Sequence, residues 1–432
     1  MKEHLPYKIS HLYLHESLAS PTLDSSTHGH YLVFWWRSVA LAHFFIEPGQ
    51  EVTEEQYYQK LVAVLEPSLL FYGAKPAANW ARFVVERDVT TLSAFMNPLF
   101  EAFIPSSVPA KLPVSVVICT RNRARQLDQC IRMLQQLTCL PAEIVVIDNA
   151  PSDASSCEVV ARFPDVTYVK EPRAGLDIAR NTGVAAANYP IVAFVDDDVL
   201  VDPLWIYQVY QTFQNPEINA MTGLVIASEL ETEAQEIFEK HWSFNRGYTD
   251  VLYDTSFFTK HLFHGPPVWE MGAGANMAFR KSVFEKVGLF DEILDAGAAG
   301  CNGDSEMWYR ILSHGFGVHY NPRAIVYHEH RRELGNLKKQ IYAYMRGFTV
   351  AALLQQDQVP KANYKRRFYK YLPKHYLRLT IRGFPRYRSR NLTLWAEMKG
   401  IVAGFFYYRR NKQFSTALRH KQPEPGRLLK TA

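Results

Sequence analysis

Three successive carboxylates, Asp196, Asp197 and Asp198, are the residues of this chain best suited to chemistry. They close an apolar run from Ile191 to Val195, whose β-branched side chains read as a strand buried on both faces, as in a parallel sheet. Such a cluster is too costly to bury unpaired, so it must lie where the strand leaves the core. In an open α/β sheet that carboxyl end is where ligands bind. Crowded carboxylates repel one another unless a cation sits among them, and a hard divalent ion is the natural candidate. Taken alone, the triplet is equally consistent with a solvated acidic loop, so the elements around it must decide.

Those elements alternate. Val114 to Cys119 reads as a buried strand, followed by a polar turn from Thr120 to Arg123. Leu127, Cys130, Ile131, Leu134 and Leu137 then mark one face of a helix. Glu143 to Asp148 is a second strand, again ending in an acid, and Val166 to Val169 a short third one. A loop and helix from Arg173 to Ala187 deliver the chain into the Asp196 strand. Strands alternating with helices imply an α/β fold with a mostly parallel, doubly wound sheet. Neither GxxxxGK[ST] nor GxGxxG follows the first strand, so P-loop and dinucleotide readings lack their glycines. A nucleotidyltransferase would have a Gly-rich basic loop there, and Thr120 to Arg123 is not one. The strand ends instead supply Thr120, Arg121, Asp148 and the Asp196–Asp198 cluster, a set that suits a nucleoside diphosphate held through a metal ion.

The blocks VVICTRNR (116–123), VVIDNAPSD (145–153), GLDIARNTG (175–183) and FVDDD (194–198) resemble the nucleotide-sugar half of family 2 glycosyltransferases. GANMAFR (274–280), VGLFDE (287–292), GDSEMWYR (303–310) and VYHEH (326–330) continue the resemblance in the family's order, over roughly 112–335. It implies a glycosyltransferase A fold, a divalent cation (Mn or Mg) and inversion at the transferred sugar's anomeric carbon. The donor would be a nucleotide sugar. The acceptor would be a hydroxyl of a glycan or lipid-linked molecule, in cell-surface polysaccharide synthesis. By position in the motifs, Asp148 matches the nucleoside-binding carboxylate, and Thr120 and Arg121 the loop beside base and ribose. Asp196 and Asp198 match the Asp-x-Asp motif, with Asp198 the direct metal ligand, Asp196 nearer the ribose, and Asp197 counted with the substrate-binding set. Arg180 could face the diphosphate, its guanidinium fork suiting phosphate oxygens; the rival reading is an exposed helix charge.

An acceptor hydroxyl must lose a proton as it attacks, which calls for a carboxylate opposite the leaving group. Asp304 fits: it follows the Gly/Ala-rich stretch 295–303 and opens a helix read as Ser305 to His314, where it could also serve as N-cap. Gly303 stands where many relatives carry Glu, and Glu306 is the fallback base. His328 and His330 alternate along a strand and share one face. The resemblance makes His328 a candidate third metal ligand, against the usual structural role of a histidine in an apolar strand.

Around this body the chain is less explicit. Residues 1–110 read as a small α+β appendage, with strands Tyr31–Trp36 and Val39–Ile46, a helix from Thr53 to Leu65, and a proline-rich linker from Ala102 to Pro113. Residues 336–432 read as helical, basic and aromatic. Of 48 Lys+Arg and 43 Asp+Glu in the 432 residues, 19 and 2 fall in 361–432, a net of +17 there against −12 elsewhere. A basic tail that interleaves aromatic residues favours an anionic membrane surface. Nucleic acid could meet the same charge, but no nucleic-acid motif accompanies it. Five cysteines without a CxxC pair read as reduced thiols of a cytosolic protein. With no apolar leader in Met1 to Ser17 and no run long enough to span a bilayer, the expectation is a cytoplasmic protein, peripheral on the inner face of the membrane. The alternative to an enzyme is an inactive nucleotide- or glycan-binding protein on the same fold. Asp198, Asp304 and His328 together favour catalysis, because a binding module needs no base.

Overall fold

The structure, a computed structural model, describes residues 4–75 and 79–417. The end of the basic tail, 418–432, therefore lies outside the described residues. Two compact units divide the chain: residues 1–108 with 226–250 and 328–334, and residues 109–225 with 251–327 and 335–432.

In the first unit, strands β1 (Tyr7–Tyr13), β2 (Gly29–Trp36) and β3 (Val39–Ile46) form a sheet in that order. The β2–β3 pair is the antiparallel hairpin expected, with Arg37 at φ 52 in its turn. The β1 strand, which the sequence does not announce, adds parallel to β2. The following helix, Glu54–Phe71, starts at a Thr53 capping box with Gln56 and continues past Leu65. Its Tyr57, Leu61 and Leu65 pack with Phe34 and Trp36 in the core of this unit.

The expected boundaries at 110/112 and 335/336 follow linear order, and the fold departs from them. Residues 226–250 and 328–334 join the first unit because long strands carry the chain there: Tyr7 N–H donates to Leu230 O (2.8 Å) and Lys240 Nζ to Glu47 Oε1 (2.8 Å). No shift in composition marks these insertions.

The second unit is built on a nine-stranded mixed sheet. Its strands are β4 (Lys111–Thr120), β5 (Leu140–Asn149), β6 (Val166–Glu171), β7 (Ile191–Asp196), β8 (Val199–Val201), β9 (Ile218–Ala227), β10 (Val251–Tyr253), β11 (Asn276–Arg280) and β12 (Gly317–His328). The order is β10-β12-β9-β11-β7-β4-β5-β6, with β8 beside β12. The four strands β7-β4-β5-β6 are parallel, as the alternating pattern requires, and β11 pairs antiparallel with both β7 and β9. The chain steps from β4 to β5 to β6 in one direction and then returns to place β7 on the other side of β4. The topological switch, where an open sheet forms its ligand crevice, is thus between β4 and β7.

The expected linker ends early. β4 already begins at Lys111, and Pro113, which has no N–H to give the ladder, sits at a register shift between Leu112 and Ser115. Of the region expected as a separate 336–432 domain, the described residues 336–417 belong to the second unit. Ala352, Val359, Ala362, Tyr364 and Phe368 share one core with Phe279, Trp308 and Tyr309. Helix Leu394–Asn411 crosses helix Leu334–Gln358 at Gly400 and Gly404, where a Cβ would lie 2.5 Å from Tyr342 O and 2.6 Å from Thr349 Cβ. Among the described residues no helix is long and apolar enough to cross a membrane. All five cysteines are free, with Cys130 and Cys139 buried.

Candidate active site

The parallel strands bring three of the singled-out positions to one edge. Register places Thr120 opposite Asp148 and Cys119 opposite Asp196, so the ends of β5, β4 and β7 stand side by side. Asp148 is fully buried. Its Oδ2 accepts the Tyr168 hydroxyl at 2.8 Å, while its Oδ1 has no partner among the described residues. Burial raises the Asp148 pKa. Arg121 is exposed at the start of the β4 loop. The next residue, Asn122 (φ 56), accepts the N–H and O–H of Ser152, each at 2.9 Å, and so ties the loops after β4 and β5 together.

The three acids after β7 have different fates. Asp197 turns inward, where it accepts the Thr120 hydroxyl (2.7 Å) and Arg123 Nη1 (2.5 Å). Asp198 Oδ2 accepts Arg123 Nη2 at 2.9 Å. Thr120 and Asp197, read from the sequence as substrate contacts, are therefore engaged with each other and with Arg123. Asp196 is pushed up to about 7, first by burial and then by the Asp198 charge, with Arg180 opposing. The repulsion that raises Asp196 is what a further cation would relieve, and the oxygens of these two neighbouring acids are the donors a hard divalent cation prefers. Asp196 and Asp198 thus fit such an ion. Among the described residues, however, no group of three or more His, Cys, Asp or Glu is placed to hold one.

A second acidic cluster surrounds Arg180, which is buried and not an exposed helix charge. It lies on helix Leu176–Ala186, and its Nη1 donates to Asp177 Oδ1 (2.8 Å) and Asp295 Oδ2 (2.6 Å). Gly274 marks where it meets Asp304: a Cβ there would be 3.0 Å from Arg180 Nη2 and 3.1 Å from Asp304 Oδ2. Burial, then the Asp295 charge, raises the Asp304 pKa, and Arg180 opposes both. The same influences raise Asp177 well above the usual range. The Asp177 carboxylate lies against Gly303, where a Cβ would fall 2.1 Å from Oδ2. Any side chain at 303 would displace that carboxylate, which accounts for glycine there.

Asp304 is not the N-cap. Its helix runs Gly303–Ser313 behind Asn302, which takes the left-handed conformation (φ 76) with no side-chain cap bond. Asp304 Oδ1 instead accepts the N–H of Ser305 at 2.6 Å. Glu306, the fallback base, is fully buried and engaged by Arg310 Nε (2.9 Å) and Gln358 Nε2 (3.1 Å), a structural pairing.

His328 and His330 do share a face, their Nδ1 atoms 3.1 Å apart, and His330 Nε2 lies 2.9 Å from Glu239 Oε2. These residues belong to the first unit and Asp198 to the second. The sequence reading passed over Arg123, Asp177, Asp295 and Tyr168. Asp177 had a local signal in its i, i+3 spacing to Arg180, whereas Asp295, 115 residues from Arg180, had none.

Residues 115–288 match the family model described as "Glycosyl transferase family 2". A pre-mycofactocin glycosyltransferase of Mycobacterium tuberculosis is 28% identical over 232 residues, 53% of this chain and 45% of its own. A validoxylamine A glucosyltransferase of Streptomyces hygroscopicus subsp. limoneus is 27% identical over 264 residues, 55% and 54% of the two chains. The chain spans about half the length of these curated relatives. A solved mannosyltransferase from Pyrobaculum calidifontis, in complex with GDP-Man and Mn2+, is 16% identical with a TM-score of 0.46, over 73% of this chain and 96% of that one.

Proposed function

We propose that the protein is an inverting glycosyltransferase whose catalytic domain includes residues 115–288, which match the family 2 model. It moves a sugar from a nucleotide-sugar donor to a hydroxyl of a glycan or lipid-linked acceptor, in the synthesis of a cell-surface polysaccharide. The observation that carries the reading is the meeting of Arg180 and Asp304 at Gly274, with Asp196 in reach of the same Arg180 charge. Asp304 takes the acceptor's proton as the hydroxyl oxygen attacks the anomeric carbon. The bond from that carbon to the diphosphate oxygen breaks, and the nucleoside diphosphate leaves with the electron pair. A half-buried carboxylate with a raised pKa is suited to accept that proton.

Arg180 helps offset the charge that develops on the diphosphate. Asp148, with Oδ1 lacking a partner among the described residues, and the Tyr168 hydroxyl form the polar floor of the nucleoside pocket. Thr120 and Arg121 border it, and Asp197 holds Thr120 and Arg123 in place. Asp198 and Asp196 hold a divalent cation, which when bound supplies Lewis-acid stabilisation of the leaving group. The basic C-terminal region meets an anionic membrane surface, on the cytoplasmic side.

A panel of nucleotide sugars assayed with Mn2+, with Mg2+ and with EDTA tests the whole reading. Turnover of one donor, abolished by EDTA and by Asp198→Ala at unchanged thermal stability, is expected. Donor binding without turnover would support the inactive binding protein instead. Activity that survives both EDTA and Asp198→Ala would overturn the metal assignment.

A further inference from the structure

The described part of the C-terminal region contains one helix whose outer surface has two faces of different chemistry. Helix Leu372–Gly383 follows a π-helical turn, Arg367–Tyr371. Its inner face is docked on its own unit: Tyr376 is buried and donates its hydroxyl to Glu397 Oε2 at 3.2 Å. Glu397 is in turn held by Arg390 Nη2 (2.8 Å) and the Thr393 hydroxyl (2.7 Å). Facing outward, Tyr369, Leu377, Ile381 and Phe384 are 75%, 62%, 66% and 75% exposed. Monomeric soluble proteins seldom leave four such side chains within sixteen residues in water.

One residue further along the chain from the apolar series runs a basic one. Lys370, Lys374, Arg378 and Arg382 recur every fourth position and are all exposed. None of the four forms an ion pair with a described residue. On the helix itself Leu377 and Ile381 lie beside Arg378 and Arg382, about a quarter-turn apart, while Tyr369 and Lys370 sit in the preceding π-helical turn and Phe384 just past the helix end.

We infer that this helix is a membrane wedge: it lies in the plane of an anionic bilayer surface. Leu377, Ile381 and Phe384 enter the headgroup–acyl boundary while Lys370, Lys374, Arg378 and Arg382 contact lipid phosphates. A charged stripe bordering an apolar one is the signature of an interfacial helix, and long basic side chains can reach the headgroups while their stems stay apolar. Nucleic acid or another polyanion would account for the lysines and arginines but gives no role to Leu377, Ile381 and Phe384. A second copy of this chain would have to bring four positive charges against the same four. An anionic lipid surface satisfies both stripes at once. The inference rests on the membrane partner named above and not on sugar transfer, so it can fail while transfer to a soluble acceptor persists.

Point variants are the appropriate test, because truncation before Tyr364 would remove core residues. Full-length protein is sedimented with phosphatidylcholine vesicles, with and without phosphatidylglycerol, across a salt series. Wild type should bind only the anionic vesicles and release as salt rises, since exposed charges are screened within about 10 Å at 0.1 M. Lys374→Glu/Arg378→Glu should abolish binding, each basic residue contributing on the order of fivefold. Leu377→Ser/Ile381→Ser should weaken vesicle binding on the order of tenfold or more and leave retention on a heparin column unchanged. Both variants should keep the wild-type melting temperature and soluble-donor hydrolysis. Vesicle binding by Leu377→Ser/Ile381→Ser equal to wild type would overturn the wedge. So would wild type that ignores anionic vesicles, or that self-associates through this face.

Discussion

Two acidic clusters stand beside each other in the second unit, and they are neutralised in opposite ways. Around Arg180, two buried carboxylates (Asp177 and Asp295) and the half-buried Asp304 share one buried guanidinium. At the β7 end, Asp197 and Asp198 share Arg123, whose side chain is one-third exposed, while Asp196 keeps its proton up to about 7. In the first cluster the cation is part of the fold, and removing it leaves Asp177 and Asp295 as charges that water scarcely reaches. In the second the cation comes from a loop at the rim and can be exchanged. A permanent charge orients a base, whereas a replaceable one leaves room for a ligand.

The largest effect should come from breaking the buried cluster. Arg180→Met leaves Asp177, Asp295 and Asp304 without their shared counter-charge, and removing one member of a buried ion pair costs about 3–5 kcal/mol. Chemical denaturation should show a loss of that size, and little residual activity. A loss below about 1 kcal/mol, the range of exposed pairs, would mean the three acids relax by taking up protons, and the contrast between the clusters would disappear.

Next in size is the proposed base. Asp304→Asn should lower transfer by roughly 10²–10⁴-fold while donor binding persists. Its pH dependence has a definite sign. Because the Asp304 pKa is raised, the carboxylate ionises only above the ordinary carboxylate range, and wild-type kcat should climb with pH through that raised value. In stability terms, a carboxyl raised in the folded state contributes below its unfolded pKa, and the contribution is lost as pH rises through the folded value. Asp304→Asn should therefore be at least as stable as wild type at neutral pH. Asp295→Asn, which removes the neighbouring charge, should shift the kcat limb to lower pH; an unmoved limb would exclude Asp304 as the titrating base.

How far each cluster could be read from the sequence follows from the same physics. The Asp196–Asp198 cluster was legible because a buried strand is a run of apolar residues and its end is a local event. The parallel strands β4 to β7 were legible for the same reason, with Pro113 misleading at the linker because a register shift lets β4 begin before it. The Arg180 cluster was half legible. Asp177 is three residues away, but Asp295 arrives on a loop folded back across the sheet, and only tertiary packing brings it near. The same limit hid the insertion at 226–250, whose partners Tyr7, His43 and Glu47 lie two hundred or so residues earlier in the chain, and the one at 328–334, whose His330 meets Glu239 91 residues earlier. The tail misled in a different way. Its aromatic and basic interleaving was visible, but which aromatics face inward was not, and Tyr364, Phe368 and Tyr376 prove to be buried.

The smallest effect on stability should come from the rim, and it sharpens the comparison most. Arg123 donates to Asp197 and Asp198 from a loop position with its side chain one-third exposed, so water screens what it contributes. The arginine is exposed although Asp197 is buried, and Asp197 keeps the Thr120 hydroxyl, so Arg123→Met should move the denaturation midpoint less than Arg180→Met does. Its effect on metal should be larger. With the guanidinium gone, Asp198 Oδ2 loses a competing donor and Asp196 and Asp198 lose a neighbouring positive charge, both of which favour a divalent cation. Calorimetric titration with Mn2+ should then show tighter binding than wild type. If Arg123→Met instead abolishes Mn2+ binding at unchanged stability, Arg123 is what orients Asp198 toward the ion. The rim arginine would then be as fixed a part of its cluster as Arg180 is of the other.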